Sequence, residues 1–149
     1  MIVYRITLQK YSSELQASGN EARWNRKDQK VIYTAESRSL ACLENLVHRS
    51  KLGFNGIFKT MVIKIPDDLV TEIVEERSLP AEWNKSNQFN VCQEKGSGWI
   101  LSGRTAVLRV PSALIPQENN YILNTLHPDF TKIRILNTED FYFDTRITS

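Results

Sequence analysis

A strand-rich α+β fold in a single domain, residues 1–149, is what the sequence predicts, and three observations carry it. At 149 residues and 41% hydrophobic content the chain has the size of one domain with one substantial core. Runs that alternate apolar and polar residues with a period of two recur along it. Only one stretch, Arg38 to Arg49, combines helical spacing with a clear capping residue.

Ile2, Tyr4, Ile6 and Leu8 alternate with Val3, Arg5 and Thr7, which reads as a first strand with Arg5 on its less apolar side. Gln9 to Lys30 is polar, with Leu15 and Trp24 as its large apolar anchors, and reads as a long loop with room for a short helix. Val31 to Thr34 is a β-branched and aromatic strand. Ser37 is placed to cap the helix from Arg38 to Arg49. Leu40, Leu43 and Val47 form the expected inward stripe of that helix, yet Glu44 stands at the i+4 place where an apolar residue belongs. Lys51 to Asn55 predict a turn around Gly53, Met61 to Ile65 a strand ended by Pro66, and Pro66-Asp67-Asp68 a turn. Thr71 to Val74 reads as a short strand, Leu79 to Asn84 as a short helix, and Glu94 to Gly98 as a flexible turn with two glycines. Thr105 to Val110, Thr131 to Leu136 and Asp140 to Phe143 complete the strands. Their spacing leaves open whether they form a sandwich or one mixed sheet.

Nineteen Lys and Arg against seventeen Asp and Glu give a net charge of +2, too little to mark a phosphate-backbone binder. Cys42 and Cys92 lack both metal-ligand spacing and disulfide density, so a reduced, cytoplasmic setting is expected. No signal-peptide or membrane-spanning pattern occurs, and no membrane partner is expected. The sequence contains no P-loop, dinucleotide-binding glycine motif, HExxH, GxSxG or paired CxxC. His48 and His127 stand far apart, so no metal site is expected.

What remains is a set of polar residues without a nucleophile and base close in sequence. Arg23-Trp24-Asn25 puts a fixed cation, an aromatic face and an amide into the long loop, a combination suited to a nucleotide. Glu44 requires a partner or a raised pKa if buried. Tyr33, Ser112, Asn119 and Asn120 add hydroxyls and amides that are individually ordinary core or turn chemistry. Together these residues favour a site that binds an anion and stabilises positive charge.

The order of the pieces is similar to one known family. Tyr4-Arg5, Ala22-Arg23-Trp24-Asn25, Val31-Ile32-Tyr33-Thr34-Ala35-Glu36-Ser37 and Ser39-Leu40-Ala41-Cys42-Leu43-Glu44 come first. Leu79-Pro80, Ala106-Val107-Leu108-Arg109-Val110-Pro111-Ser112, Asn120-Tyr121-Ile122-Leu123-Asn124 and His127-Pro128-Asp129-Phe130 follow. Over nearly its whole length the chain resembles the RES domain family. That resemblance implies an ADP-ribosyltransferase-like fold and a toxin of a bacterial toxin–antitoxin pair. It implies an activity that cleaves the nicotinamide–ribose bond of NAD, by phosphorolysis or hydrolysis. It also implies a cognate Xre-type antitoxin as partner, with nucleic acid engaged only through that antitoxin, and NAD as substrate rather than cofactor, with phosphate as co-substrate if the cleavage is phosphorolysis. Carried to this sequence, it assigns catalysis to Glu44, Arg23 and Tyr33, and substrate binding to Arg5, Trp24, Asn25, Ser112, Asn119 and Asn120. The chain departs from the family in having Glu21-Ala22 where two glycines usually precede Arg-Trp-Asn, and Arg26-Lys27-Asp28-Gln29 where another usually follows. That departure keeps two alternatives open: an interaction domain that has lost activity, and a toxin acting on nucleic acid, which the charge balance opposes.

Overall fold

The computed structural model describes residues 1–49 and 53–148. Its seven strands are β1 (Ile2–Leu8), β2 (Val31–Ala35), β3 (Phe58–Lys64), β4 (Thr71–Ile73), β5 (Val107–Pro111), β6 (Asn119–Asn124) and β7 (Arg134–Phe141). They form one mixed sheet in the order β4-β5-β6-β2-β1-β3-β7, in which only β4 and β5 run parallel. Two helices of more than one turn pack on it, α1 (Arg38–Arg49) and α2 (Asn90–Ser102), and a single turn, α3 (Thr145–Thr148), follows the last strand.

The pleat divides the core into two sides. Val3, Ile32, Ile63, Val107 and Leu123 share one side, closed by Leu15, Ala17, Phe130 and Ile133 from the connections. The other side carries the helices: Ile6, Ala35 and Phe58 lie under Leu40 and Ala41 of α1. Val31, Leu108, Val110 and Ile122 lie under Cys92 and Trp99 of α2. A seam between two helices on one sheet face results.

The middle of the sheet is its thinnest point. β1 and β2 share a single register pair, Tyr4 with Ala35, whereas β1 pairs with β3 along its full length. Immediately after β2, the Ser37 hydroxyl accepts the Leu40 amide at 3.1 Å and caps α1. Arg38 then grips Glu139 of β7 with two bonds of 2.9 and 2.7 Å, while its guanidinium lies 4.6 Å from the centre of the Tyr4 ring. These contacts fix where α1 starts and therefore which residues face the seam.

Several expectations are corrected. Glu94 to Gly98 is the middle of α2, not a turn. Gly96 is required there, because a Cβ on it would stand 1.8 Å from the Trp24 carbonyl oxygen. Leu79 to Asn84 forms turns instead of a helix, with Glu82 at φ 68°. The carbonyls of Trp83, Asn84 and Lys85 accept from the Arg23 guanidinium, so they are not available to a helical ladder. Thr131–Leu136 and Asp140–Phe143 are not two strands: Arg134–Phe141 is one continuous edge strand, and Thr131 and Lys132 belong to a 3-10 turn before it. β6 appears where only loop amides were expected. On α1, Val47 is 54% exposed, so the inward stripe narrows to Leu40 and Ala41. Of the turn expected over Lys51–Asn55, Lys51 and Leu52 lie outside the described residues, while Gly53 has φ 81°.

Candidate functional site

Glu44 sits on α1 one turn past Leu40, on the side facing the seam between the helices. Its Oε1 accepts the Ser112 hydroxyl at 2.9 Å, and the Asn120 side chain lies beside the same carboxylate. No ion pair reaches it among the described residues. Burial pushes its pKa above the usual glutamate range, while the bond from Ser112, the Asn120 side chain and the charge of Arg23 act in the opposite direction. The result is a half-buried carboxylate beside neutral polar groups within the field of one cation.

Ser112 is wholly committed to this arrangement. It is fully buried at the end of β5, donates to Glu44, and accepts the amides of Leu114 and Ile115 at 3.1 Å each. A hydroxyl has one proton and two lone pairs, so Ser112 orients the carboxylate and cannot also bond a substrate hydroxyl. The Asn120 side-chain nitrogen donates to the Thr34 carbonyl at 3.2 Å, and the side chain lies beside Glu44, where it acts to lower the carboxyl pKa. The neighbouring Asn119 faces elsewhere: its backbone and side-chain nitrogens donate to Glu36 at 3.0 and 3.4 Å.

Tyr33 lies on the same sheet face as Asn120, diagonal to it through the pairs Tyr33–Ile122 and Ala35–Asn120. Its hydroxyl donates to Asn25 Oδ1 at 2.6 Å and accepts the Trp24 amide at 3.0 Å. Burial raises its pKa well beyond the ordinary phenol range, so it is neutral at any working pH. Arg23 projects from the loop between β1 and β2. It donates to the carbonyls of Trp83 at 2.8 Å and Lys85 at 3.2 Å, and lies 5.8 Å from the Phe89 ring centre. No carboxylate pairs with it among the described residues, and its charge is felt at both Tyr33 and Glu44.

Two residues of the expected binding set turn inward. Trp24 is 3% exposed and packs with Trp99 and Ile122, so its indole offers no stacking face to a ligand. Asn25 is 1% exposed, with its side-chain nitrogen on the carbonyls of Asn20 and Arg26 at 3.0 Å each. Both build the loop instead of lining the site. Arg5 also stands apart, since alternation along β1 puts it with Val3 and Thr7, opposite the face of Tyr33 and Asn120. Its guanidinium donates to the Tyr33 carbonyl at 2.9 Å, where β1 and β2 are barely paired, and burial lowers its pKa. Thus the structure brings together Glu44, Ser112 and Asn120, sets Arg23 and Tyr33 beside them, and separates Arg5, Trp24, Asn25 and Asn119.

The sequence reading overlooked α2 as part of this architecture. Gln93 is buried and bonds Glu21, Ala22 and Asn25, and Ser97 accepts from Arg26 and Gln29. The signal was present in Cys92, Gly96 and Trp99, which recur at helical i, i+4, i+7 spacing. Reading the two glycines as breakers hid it.

Comparison with known proteins identifies the family and the fold. A model of the RES domain matches residues 2–144. The chain is 37% identical over 153 aligned positions to Toxin Res of Photorhabdus laumondii, covering 99% of this chain and 97% of the relative. It is 35% identical over 127 positions to a Prs ADP-ribosylating toxin of Sphingobium sp., covering 84% of this chain and 79% of that one. The crystal structure of the M. tuberculosis MbcT–MbcA toxin–antitoxin complex contains a chain that superposes with a TM-score of 0.78 over 94% of this chain and 83% of its own, at 15% identity, a likeness of fold. With a family model spanning nearly the whole chain and a relative matched end to end, this protein belongs to the RES domain family, the family of these toxins.

Proposed function

We propose that this toxin consumes NAD by breaking the bond between nicotinamide and ribose. The observation that carries the reading is Glu44: a half-buried carboxylate with no ion pair among the described residues, bonded by Ser112 and within the field of Arg23. In the reaction the bonding electron pair leaves with the pyridinium nitrogen, so nicotinamide departs neutral and needs no acid. Positive charge develops on the ribose carbon. A preoriented carboxylate in a partly dry site stabilises that charge more strongly than water does. Arg23, which has no carboxylate partner among the described residues, supplies positive potential for the pyrophosphate. The Tyr33 ring borders the nicotinamide, and the side-chain carbonyl of Asn120 accepts from a ribose hydroxyl.

Phosphate or water then forms the new carbon–oxygen bond. The name of the Sphingobium relative, an ADP-ribosylating toxin, favours a second acceptor, a protein side chain, which uses the same bond cleavage. A cognate antitoxin, as in the MbcT–MbcA complex, would hold the activity in check, and we take an Xre-type protein as its class. Incubation with NAD, with and without phosphate, followed by mass analysis of the ribosyl product, tests this function. Release of nicotinamide with ADP-ribose 1″-phosphate or ADP-ribose is the expected result. Intact NAD after incubation with folded, antitoxin-free protein, in water, in phosphate and with a cell extract as a source of protein acceptors, would overturn it.

A further inference from the structure

The loop that carries Arg23 is shaped by one face of α2. Residues 22 to 25 form a tight reversal in which Ala22 and Asn25 exchange backbone bonds of 3.2 and 3.3 Å, leaving Arg23 and Trp24 at its tip. Gln93 lies directly behind the reversal. Its side-chain nitrogen reaches the carbonyls of Ala22 and Asn25 at 3.2 and 3.1 Å and the Glu21 carboxylate at 2.6 Å. One turn later Gly96 abuts the Trp24 carbonyl. A single amide on a rigid helix therefore ties both shoulders of the reversal and the residue before it.

We infer that Gln93 is a positioning residue, which fixes where Arg23 leaves the Ala22–Asn25 reversal and so delivers its guanidinium to the carbonyls of Trp83, Asn84 and Lys85 that hold it. The inference rests on the proposed role of Arg23 in NAD binding. Glu21 explains how the reversal is kept where glycines would give a freer backbone: its carboxylate takes a charge-assisted bond from Gln93 and anchors the approach. Beyond the reversal, Asp28 adopts φ 70°, the left-handed conformation that Asp tolerates better than most side chains, and its amide bonds the Gly19 carbonyl at 2.7 Å.

The role differs from fold support. In Gln93→Met the two shoulder carbonyls keep their backbone partners in the reversal, and the exposed Glu21 carboxylate turns to water, so no buried polar group is orphaned. The fold should survive while the reversal loosens. Hydrogen exchange of the peptide spanning residues 20–29 is expected to accelerate in Gln93→Met, with exchange in the β5–β6 strands unchanged. NAD turnover should fall by roughly 10- to 100-fold in kcat/KM, mainly through KM, as suits a displaced binding group. Gln93→Glu, which faces Glu21 and two carbonyls with a carboxylate, should be worse, and adding Glu21→Gln should recover part of the loss. Unchanged exchange over residues 20–29 would overturn the inference, as would faster exchange with unaltered KM. If wild-type protein leaves NAD intact, the proposed function fails, while the exchange measurement still decides whether Gln93 orders the loop.

Discussion

Glu44 combines properties that stability alone would not select. Burial raises its pKa, so the folded protein binds a proton there more tightly than the unfolded chain does. Its contribution to stability is therefore full below the ordinary glutamate range and is lost as pH rises through the elevated folded value. At neutral pH the ionised side chain opposes folding, and Glu44→Gln should melt no lower than wild type, as read by thermal denaturation. The activity has the opposite dependence, because the reaction needs the ionised form. Ser112→Ala removes a donor that lowers the Glu44 pKa. The acid limb of the pH–rate profile should consequently move to higher pH, and an unmoved limb would show that Ser112 does not act through Glu44. Tyr33→Phe is a contrasting case, because it takes the donor from the buried Asn25 Oδ1 and the acceptor from the Trp24 amide. A loss of about 1–3 kcal/mol in denaturant unfolding is expected from such orphaned groups. Sequence pattern singled out Glu44 because a charge interrupted an apolar stripe. It could not separate Trp24 and Asn25, whose side chains turn inward, from residues that line the site, since polarity and spacing do not record which way a loop folds.

Among the elements, α2 holds the least expected structure and the sharpest steric constraint. Gly96→Ala would drive a methyl group against the Trp24 carbonyl, and overpacking of this kind costs roughly 1–3 kcal/mol. A melting temperature lower by about 2–4 °C for each kcal/mol is the expected reading for a chain of this size. Gly98, with open space around it, should accept alanine without loss. The contrast explains why α2 was illegible as a helix: interior glycines usually lower helix propensity, and one of these is there for backbone approach. β1 was legible from its alternation, β2, β3 and β5 from short β-branched runs bounded by turn residues, and α1 from the Ser37 cap and helical spacing, although its buried stripe narrows to Leu40 and Ala41. β6 was hidden by the two asparagines that open it and by burial on both faces, which turns alternation into the continuous run Tyr121-Ile122-Leu123. β7 was split in two because, as an edge strand, its middle residues are polar, with Asn137 and Thr138 exposed and Glu139 half-buried.

At the scale of the molecule, one sheet face carries two helices, and α1 covers the weakest junction of the sheet, where β1 and β2 meet at Tyr4 and Ala35. Residues far apart in sequence reach the seam between the helices from α1, β2, β5, β6 and the β1–β2 loop, which is why their order along the chain reveals the family better than any single motif does. The assembly leaves a carboxylate and a cation near each other without pairing them. That arrangement costs folding energy and is suited to a substrate that brings its own opposite charges, as NAD does with its pyridinium and pyrophosphate. The most direct test compares nicotinamide release from NAD by wild-type protein and by Glu44→Gln at neutral pH, both shown to be folded. The account predicts a loss of about 10²-fold or more in the variant, the scale set by removing one electrostatic stabiliser; release at a near wild-type rate would contradict it.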